Sequence, residues 1–250
     1  MIFYFSGTGN SKYAADRLGE TLGQQTASIA RIMKDGSFDE VTDETVGIIS
    51  PVYFFGIPSI VREFISKVSF SGQKRFFTVM TYGGISANAS AMLRKELLKK
   101  GVEVTHSFEI KMPDNYVAVY RVPSLDVQQR LFEDADKKLI KIQELLEKST
   151  HLKKSKFPDK VMTAISYPFY KTRCSTNRFF VTGKCSGCGK CASVCSIGII
   201  EMANGRPRWN AAKCVNCMAC LHRCPEAAIE NGKSKKHGRY VNPNVVFDDE

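Results

Sequence analysis

Nine cysteines stand in this 250-residue chain, and eight of them fall in one short stretch. Cys185, Cys188, Cys191 and Cys195 are spaced C-x2-C-x2-C-x3-C, and Cys214, Cys217, Cys220 and Cys224 repeat that spacing. Three closely spaced thiolates can cap three irons of one cubane, while the fourth cysteine points away to a second cube. The spacing therefore predicts two [4Fe-4S] clusters. One would be held by Cys185, Cys188, Cys191 and Cys224, the other by Cys214, Cys217, Cys220 and Cys195. Zinc and disulfides are the competing readings. Zinc sites pair C-x2-C knuckles across a longer gap into one tetrahedron, a pattern that the third and fourth cysteines of each block fit poorly. Disulfide frameworks belong to small secreted domains, and nothing else here reads as secreted. Cys174 is left over as a free thiol, because both cubes are already full.

Residues 179–232 resemble a bacterial two-cluster ferredoxin. Cys224 is followed by Pro225, as in that family, whereas Cys195 is followed by Ser196 where the family often has proline. The change removes no ligand and bears only on the local turn.

The elements that must position these thiols lie in a chain long enough for one large or two small domains. Its net charge of +11 is uneven: +1 over residues 1–150, +5 over 151–173 and +5 over 174–250. The basic excess thus sits beside the cysteine blocks. There it can steer an acidic redox partner or offset the negative charge of thiolate-ligated clusters. No nucleic-acid motif accompanies it. The chain opens directly on an apolar run, with no signal-peptide pattern. A long uncharged run, from Thr45 to Val61, is broken by Pro51, Gly56 and Pro58 and is short for a membrane span. The cysteine usage and the lack of export signals point to a reducing, cytoplasmic setting.

Ile2 to Phe5 reads as a strand buried on both faces. Ser6, Gly7, Thr8, Gly9, Asn10 and Ser11 follow, and then Tyr13, Ala14, Leu18 and Leu22 recur at helical spacing up to Gly23. Such a loop offers amides and hydroxyls to a phosphate at a helix N-terminus. The dinucleotide fingerprint fails at Lys12, and no Gly-Lys-Ser/Thr closes a P-loop. The stretch resembles instead the phosphate loop of flavodoxins, which holds FMN without a basic side chain.

Further strands are expected over Thr26–Ile32, Val46–Ile49, Phe76–Met80 and, by alternation, from Val102 to Ile110; Lys34–Thr45 reads as a loop or a poor helix. After the third strand comes Pro51-Val52-Tyr53-Phe54-Phe55-Gly56, and after the fourth Thr81-Tyr82-Gly83-Gly84. The resemblance implies that both loops contact the flavin ring, the two glycines permitting positive φ; taken singly, Tyr53, Phe54 and Phe55 read as well as core or domain-interface residues. His106 falls on the apolar side of the fifth strand and is expected to pack there. Asn115 and Tyr116, at the ligand end of the sheet, read as an ordinary polar loop or as a border to the flavin or the cluster domain. A long helix carries Leu131, Phe132, Ala135, Leu139, Ile142 and Leu146 on one stripe. Together these features resemble the flavodoxin fold, an α/β doubly wound parallel sheet of order 2-1-3-4-5 with FMN at its switch point.

The expected organisation is a flavodoxin-like domain at 1–150, a basic connector at 151–178 with a short helix at Val161–Tyr167, and a small α+β ferredoxin-like domain at 179–250. In the last of these, Ile199–Trp209 should form a hairpin about Asn204-Gly205, with Trp209 in the core or shielding a cluster. Residues 233–250 read as a polar tail in which Tyr240 and Pro243 hint at packing. The whole resembles the flavodoxin–ferredoxin fusion family of iron–sulfur flavoproteins. That resemblance implies electron transfer between two [4Fe-4S] clusters and FMN, to or from a partner protein such as a ferredoxin or an oxidoreductase. Two other readings stand beside it: an FMN-dependent oxidoreductase supplied by the clusters, and a redox sensor or binding module with an empty flavin site. No acid–base pair or nucleophile stands out, so no catalytic residue is named.

Overall fold

The computed structural model describes residues 1–148 and 150–247. The first half runs β1 (Ile2–Tyr4), α1 (Asn10–Leu22), β2 (Thr26–Ser28), α2 (Ile29–Asp35), β3 (Thr45–Pro51), α3 (Ser59–Lys67), β4 (Arg75–Tyr82), α4 (Ala89–Leu98), β5 (His106–Lys111) and α5 (Leu125–Leu146). Its strands pair in parallel in the order β2-β1-β3-β4-β5, as the sequence reading expects. Both faces are covered, which accounts for the near-continuous apolar strands. Phe3, Phe5, Ile48, Phe76 and Met80 pack against Ile60, Val61 and Phe64 of α3 and Leu93 and Leu97 of α4. On the opposite face Ile2, Tyr4, Ile49, Phe77 and Val79 pack against Leu18 of α1 and Phe132, Ala135, Leu139 and Ile142 of α5.

Two local expectations are corrected. The second strand is three residues long, not seven. The Ser28 hydroxyl accepts the Arg31 N–H at 3.3 Å and starts α2, which stops at Gly36 in the left-handed region, φ 70°. Val102 and Val104 are buried but lie outside β5; the chain rejoins the sheet only at Thr105, whose N–H bonds the Phe76 carbonyl at 2.8 Å. His106 packs as expected, buried and 2.8 Å from the Thr105 hydroxyl.

The connector is more ordered than its prolines suggest. Pro158 sits in the first turn of α6 (Phe157–Ser166), and Pro168 opens α7 (Pro168–Arg173), where the missing N–H costs nothing. Next come β6 (Phe179–Val181), α8 (Lys190–Ser193), β7 (Ile200–Ala203), β8 (Arg206–Trp209), α9 (Ala219–His222), β9 (Ile229–Asn231) and α10 (Ser234–His237). The β7–β8 hairpin turns at Asn204 and Gly205, both at positive φ, 51° and 71°. β6 and β9 form an antiparallel pair, and the Trp209 ring stacks on Phe179 at 5.5 Å. Among the described residues, no helix is long and apolar enough to cross a membrane.

Candidate functional site: two cysteine cages against the flavodoxin loops

The doubled cysteine block folds as a doubled structure. Gly187, Gly189 and Gly198 of the first block lie at φ 75°, 76° and 64°; Asn216, Met218 and Ala227 hold the equivalent places at 56°, 61° and 46°. These reversals turn the chain around a central space and aim amides at sulfur. The Asn216 N–H reaches Cys214 Sγ at 3.2 Å and the Ala228 N–H reaches Cys224 Sγ at 3.3 Å. Met218 and Ala227 each spend about 1 kcal/mol in a region that favours glycine, an expense tolerated where the surrounding loop over-determines the backbone.

Each cage encloses one cavity. Cys195, Cys214, Cys217 and Cys220 line one such space with Phe179, Ile200 and Trp209. A second space is lined by Cys185, Cys188, Cys191 and Cys224. The fourth cysteine of each block thus stands in the other block's cage. Among the described residues, no three His, Cys, Asp or Glu side chains converge as a single-ion site requires; the thiols surround two rooms instead. Burial pushes Cys191 up to about 11 and Cys214 up to about 12, so the bare thiols keep their protons at neutral pH. A multi-iron group bound to the thiolates would supply the positive charge that burial withholds. The donor set, the apolar walls and the amides aimed at sulfur all fit such a group. Cys174 lies outside both cages, buried beneath the Cys214 N–H, which bonds its carbonyl at 2.7 Å.

The cage of Cys217 sits on the carboxyl end of the parallel sheet, against the Ser6–Ser11 loop assigned to flavin. The Ser6–Ser11 loop is buried there. Gly9 N–H bonds the Ser6 hydroxyl at 3.0 Å, and the Ser11 and Thr81 hydroxyls share a bond of 2.8 Å. Thr8 Oγ1 accepts from Asn115 Nδ2, and Asn10 Nδ2 donates to the Pro113 carbonyl at 3.0 Å. Asn10 Oδ1 accepts from Tyr240 Oη and from Asn242 Nδ2. A Cβ on Gly7 would overlap the Cys217 carbonyl oxygen, and one on Gly9 would lie 2.6 Å from Val245 Cγ2.

The aromatic loop also turns to protein. Phe54 and Phe55 lie at φ 49° and 63° inside a tight turn closed by two Tyr53–Gly56 backbone bonds of 2.9 Å. The Phe54 ring packs 5.4 Å from Tyr116 and 5.8 Å from Tyr170, and the Tyr53 ring 6.2 Å from Tyr170. Thr163 and Tyr167 of the connector donate to the Phe55 and Ile57 carbonyls, each at 2.7 Å. Pro51 ends β3, and the Val52 N–H bonds the Thr81 carbonyl at 2.8 Å. Gly83 and Gly84 are not at positive φ, contrary to expectation; Gly83 is small because Asp114 stands 2.7 Å from where its Cβ would be. Tyr82 caps the β4 end, half-buried.

A flavin phosphate needs open space above this loop and donors aimed into it. Here Thr8 and Ser11 are 1% exposed, their hydroxyls are bonded to protein, and Cys217, Asn242 and Val245 fill the space above the glycines. In this arrangement FMN does not fit. Reading the sequence alone misses Tyr170, His222 and Asn242 as residues that tie the halves together, whereas it offers Asn115 as a possible border with the cysteine-rich half and Tyr240 as a hint of packing. His222 Nε2 donates to the Asn115 carbonyl at 2.8 Å, and its Nδ1 accepts the Tyr240 N–H at 3.1 Å. The Tyr170 hydroxyl donates to the Val215 carbonyl at 2.9 Å and accepts the Ser59 N–H at 3.2 Å.

Burial holds Tyr170 and Tyr240 well above the ordinary tyrosine value of 10. Since the folded pKa is the higher one, their stabilisation is complete below about pH 10 and is lost as pH rises beyond it. The midpoint of denaturant unfolding is therefore expected to fall steeply above pH 10. Tyr170→Phe should flatten that fall while lowering stability at pH 8 by about 1–3 kcal/mol, because the Val215 carbonyl and Ser59 N–H lose their partner. Parallel pH profiles for the two proteins would refute the assignment.

Residues 1–122 match the family model of the flavodoxin domain, and residues 184–229 match that of the 4Fe-4S dicluster domain. No match was found among curated proteins. Similar solved structures include general stress protein 14 of Treponema denticola in complex with FMN, 11% identical, covering 58% of this chain and 98% of that one at a TM-score of 0.41. A Lactobacillus acidophilus flavoprotein in complex with FMN is 13% identical, covering 43% and 90%, TM-score 0.35. Megasphaera elsdenii flavodoxin is 15% identical, covering 44% and 85%, TM-score 0.32. The two domains support a flavin and iron–sulfur role in electron transport. The chain is a flavodoxin–ferredoxin fusion, a flavodoxin domain followed by a 4Fe-4S dicluster domain.

Proposed function

We propose that this chain is an electron carrier in which two [4Fe-4S] clusters relay low-potential electrons to or from a partner protein. The observation that carries the reading is the pair of cavities, each ringed by four cysteines in crosswise order. Cubanes pass single electrons, and the protein tunes them through burial and hydrogen bonds to sulfur. The two cages differ in both respects. Cys188 is exposed, whereas Cys195 and Cys220 are buried. The cage of Cys185, Cys188, Cys191 and Cys224 is thus the port for a partner. The cage of Cys217 is the inner station, seated on the flavodoxin loops, with the Ser196 hydroxyl 3.3 Å from Cys217 Sγ. Exposed Lys184 directly precedes Cys185 of the port cage, in keeping with an acidic partner.

The test is an anaerobic preparation assayed for iron, acid-labile sulfide and flavin, followed by oxidation of the reduced protein by an acidic ferredoxin across a salt series. About eight iron and eight sulfide per chain are expected, with a rate that falls as salt rises. Stoichiometric zinc in place of iron after anaerobic reconstitution would overturn the reading. The burial of the phosphate loop favours a second reading, in which the flavodoxin half serves as the seat of the inner cluster rather than as a flavin carrier. The flavin assay separates the two.

A further inference from the structure

We infer that the connector helices α6 and α7 form a basic amphipathic strip that binds a membrane surface rich in anionic lipid, laying Phe157, Val161, Ile165 and Phe169 among the headgroups. The inference stands apart from the cluster and flavin readings. It concerns attachment to one leaflet, since among the described residues no helix is long and apolar enough to cross.

Residues four apart lie on one face of an α-helix. Phe157, Val161, Ile165 and Phe169 are spaced in that way, and Tyr167, at φ −63° and ψ −32°, carries the helical backbone from α6 into α7. The four side chains therefore stand in one slowly winding row, and the row faces outward: Phe157 is 78% exposed, Ile165 64% and Phe169 58%. Single apolar residues on a surface are ordinary, whereas a contiguous row marks an interaction site.

The helices cannot turn this row inward, because hydroxyls tie down their opposite face. Thr163 Oγ1 donates to the Phe55 carbonyl at 2.7 Å and accepts the Asn88 N–H at 3.1 Å, and Tyr167 Oη donates to the Ile57 carbonyl at 2.7 Å. The Tyr170 hydroxyl is held between the Ser59 N–H and the Val215 carbonyl. Rolling the helices would leave these groups without partners, at a cost that burial of the row would have to exceed.

Charge decides between the possible occupants. Residues 151–173 carry six bases and one acid, Asp159. Lys154, Lys156, Lys160 and Lys171 are exposed and, among the described residues, form no ion pair. Lys160 and Lys171 lie one turn from Phe157 and Pro168, at the border of the row. A second copy of this chain would set these lysines against one another. A protein partner would have to be acidic, yet protein interfaces favour arginine and deplete lysine, and Phe157 and Ile165 project from the surface instead of lining a groove. A bilayer needs no matching shape. It takes apolar side chains between its headgroups, and the surface potential of anionic lipid draws the lysines.

The experiment is co-sedimentation of the anaerobically purified holoprotein with vesicles of phosphatidylcholine alone, or mixed with phosphatidylglycerol, at low and high salt. Two variants accompany it, Phe157→Ser/Ile165→Ser and Lys156→Gln/Lys160→Gln/Lys171→Gln. Every substituted side chain is exposed, so both variants should keep the iron content and cluster absorbance of the unaltered chain. Binding is expected to the mixed vesicles only, and to weaken as salt rises. Loss of the three lysines should weaken it about tenfold or more, and loss of the two apolar side chains by about the same factor. Equal binding to both vesicles, or none to either, overturns the inference. So does anionic binding that Phe157→Ser/Ile165→Ser leaves unchanged, which assigns the lipid to basic residues elsewhere. A dimer in analytical ultracentrifugation that this variant abolishes gives the row to a second copy. Saturable binding of an acidic ferredoxin that it abolishes, with vesicles ignored, gives the row to a protein partner. Either result overturns the inference.

Discussion

Gly7→Ala is expected to destabilise the holoprotein by about 3 kcal/mol and to disturb the inner cluster, whereas Gly84→Ala changes stability by less than about 0.5 kcal/mol. Both glycines lie in loops assigned to flavin, but only Gly7 has a neighbour. Its missing Cβ is where the Cys217 carbonyl oxygen sits, with the carbonyl carbon 3.1 Å away, while Gly84 has open space. Overpacking costs most when neither side can yield. Gly7 follows β1, a strand paired on both sides, and Cys217 lies between left-handed residues at 216 and 218. Backbone therefore meets backbone, and the added methyl must push the halves apart or move a cluster ligand. Denaturant midpoints and the cluster absorbance of the two variants give the comparison. If Gly7→Ala behaves like Gly84→Ala, the ferredoxin half does not sit on the phosphate loop in solution. A free phosphate loop would put Gly7 beside the flavin, and the methyl would then lower FMN affinity without loosening the two halves.

What could be read in the residues divides along a physical line. The strands and the cysteine cages depend on local pattern: the apolar run at Ile2–Phe5, the helical spacing through α1 and the doubled C-x2-C-x2-C-x3-C; the order of the strands came with the resemblance to flavodoxins. The left-handed backbone at Met218 and Ala227 was also accessible, because superposing the two cysteine blocks sets them against Gly189 and Gly198. The seating of the halves was not. Tyr240 meets Asn10 across 230 positions, and no periodicity encodes such a pair. The segment 233–247 reads as polar tail because its anchoring residues, Asn242 and Arg239, are polar ones that bond to backbone and side chains elsewhere. The aromatic loop is ambiguous for a related reason. Tyr53 and Phe54 suit a flavin face and a tyrosine-lined interface equally well, and only the position of Tyr170 decides that they meet the connector here. The same ambiguity of chemistry makes Asn10 readable as a phosphate ligand when it is bound to the chain's own end.

The crosswise ligand set has a sharp test, because the crossed and uncrossed pairings predict opposite results for the same pair of substitutions. In the structure Cys185 and Cys224 face one cavity, and Cys195 and Cys220 face the other. The double variant Cys185→Ser/Cys224→Ser therefore strikes a single cluster. The protein is expected to keep about four of about eight irons and the spectrum of one cubane. Cys185→Ser/Cys195→Ser joins ligands of different cages and is expected to lose both clusters. Were each cluster held by its own block, the outcomes would be exchanged: the first pair would cost both clusters and the second only one. Iron and sulfide per chain after anaerobic reconstitution read the difference directly. The cluster that survives in Cys185→Ser/Cys224→Ser should be the inner one, in which Cys195 and Cys220 are buried and Cys217 abuts Gly7. It should therefore resist chelators better than the cluster left by Cys195→Ser/Cys220→Ser, whose cage includes the exposed Cys188.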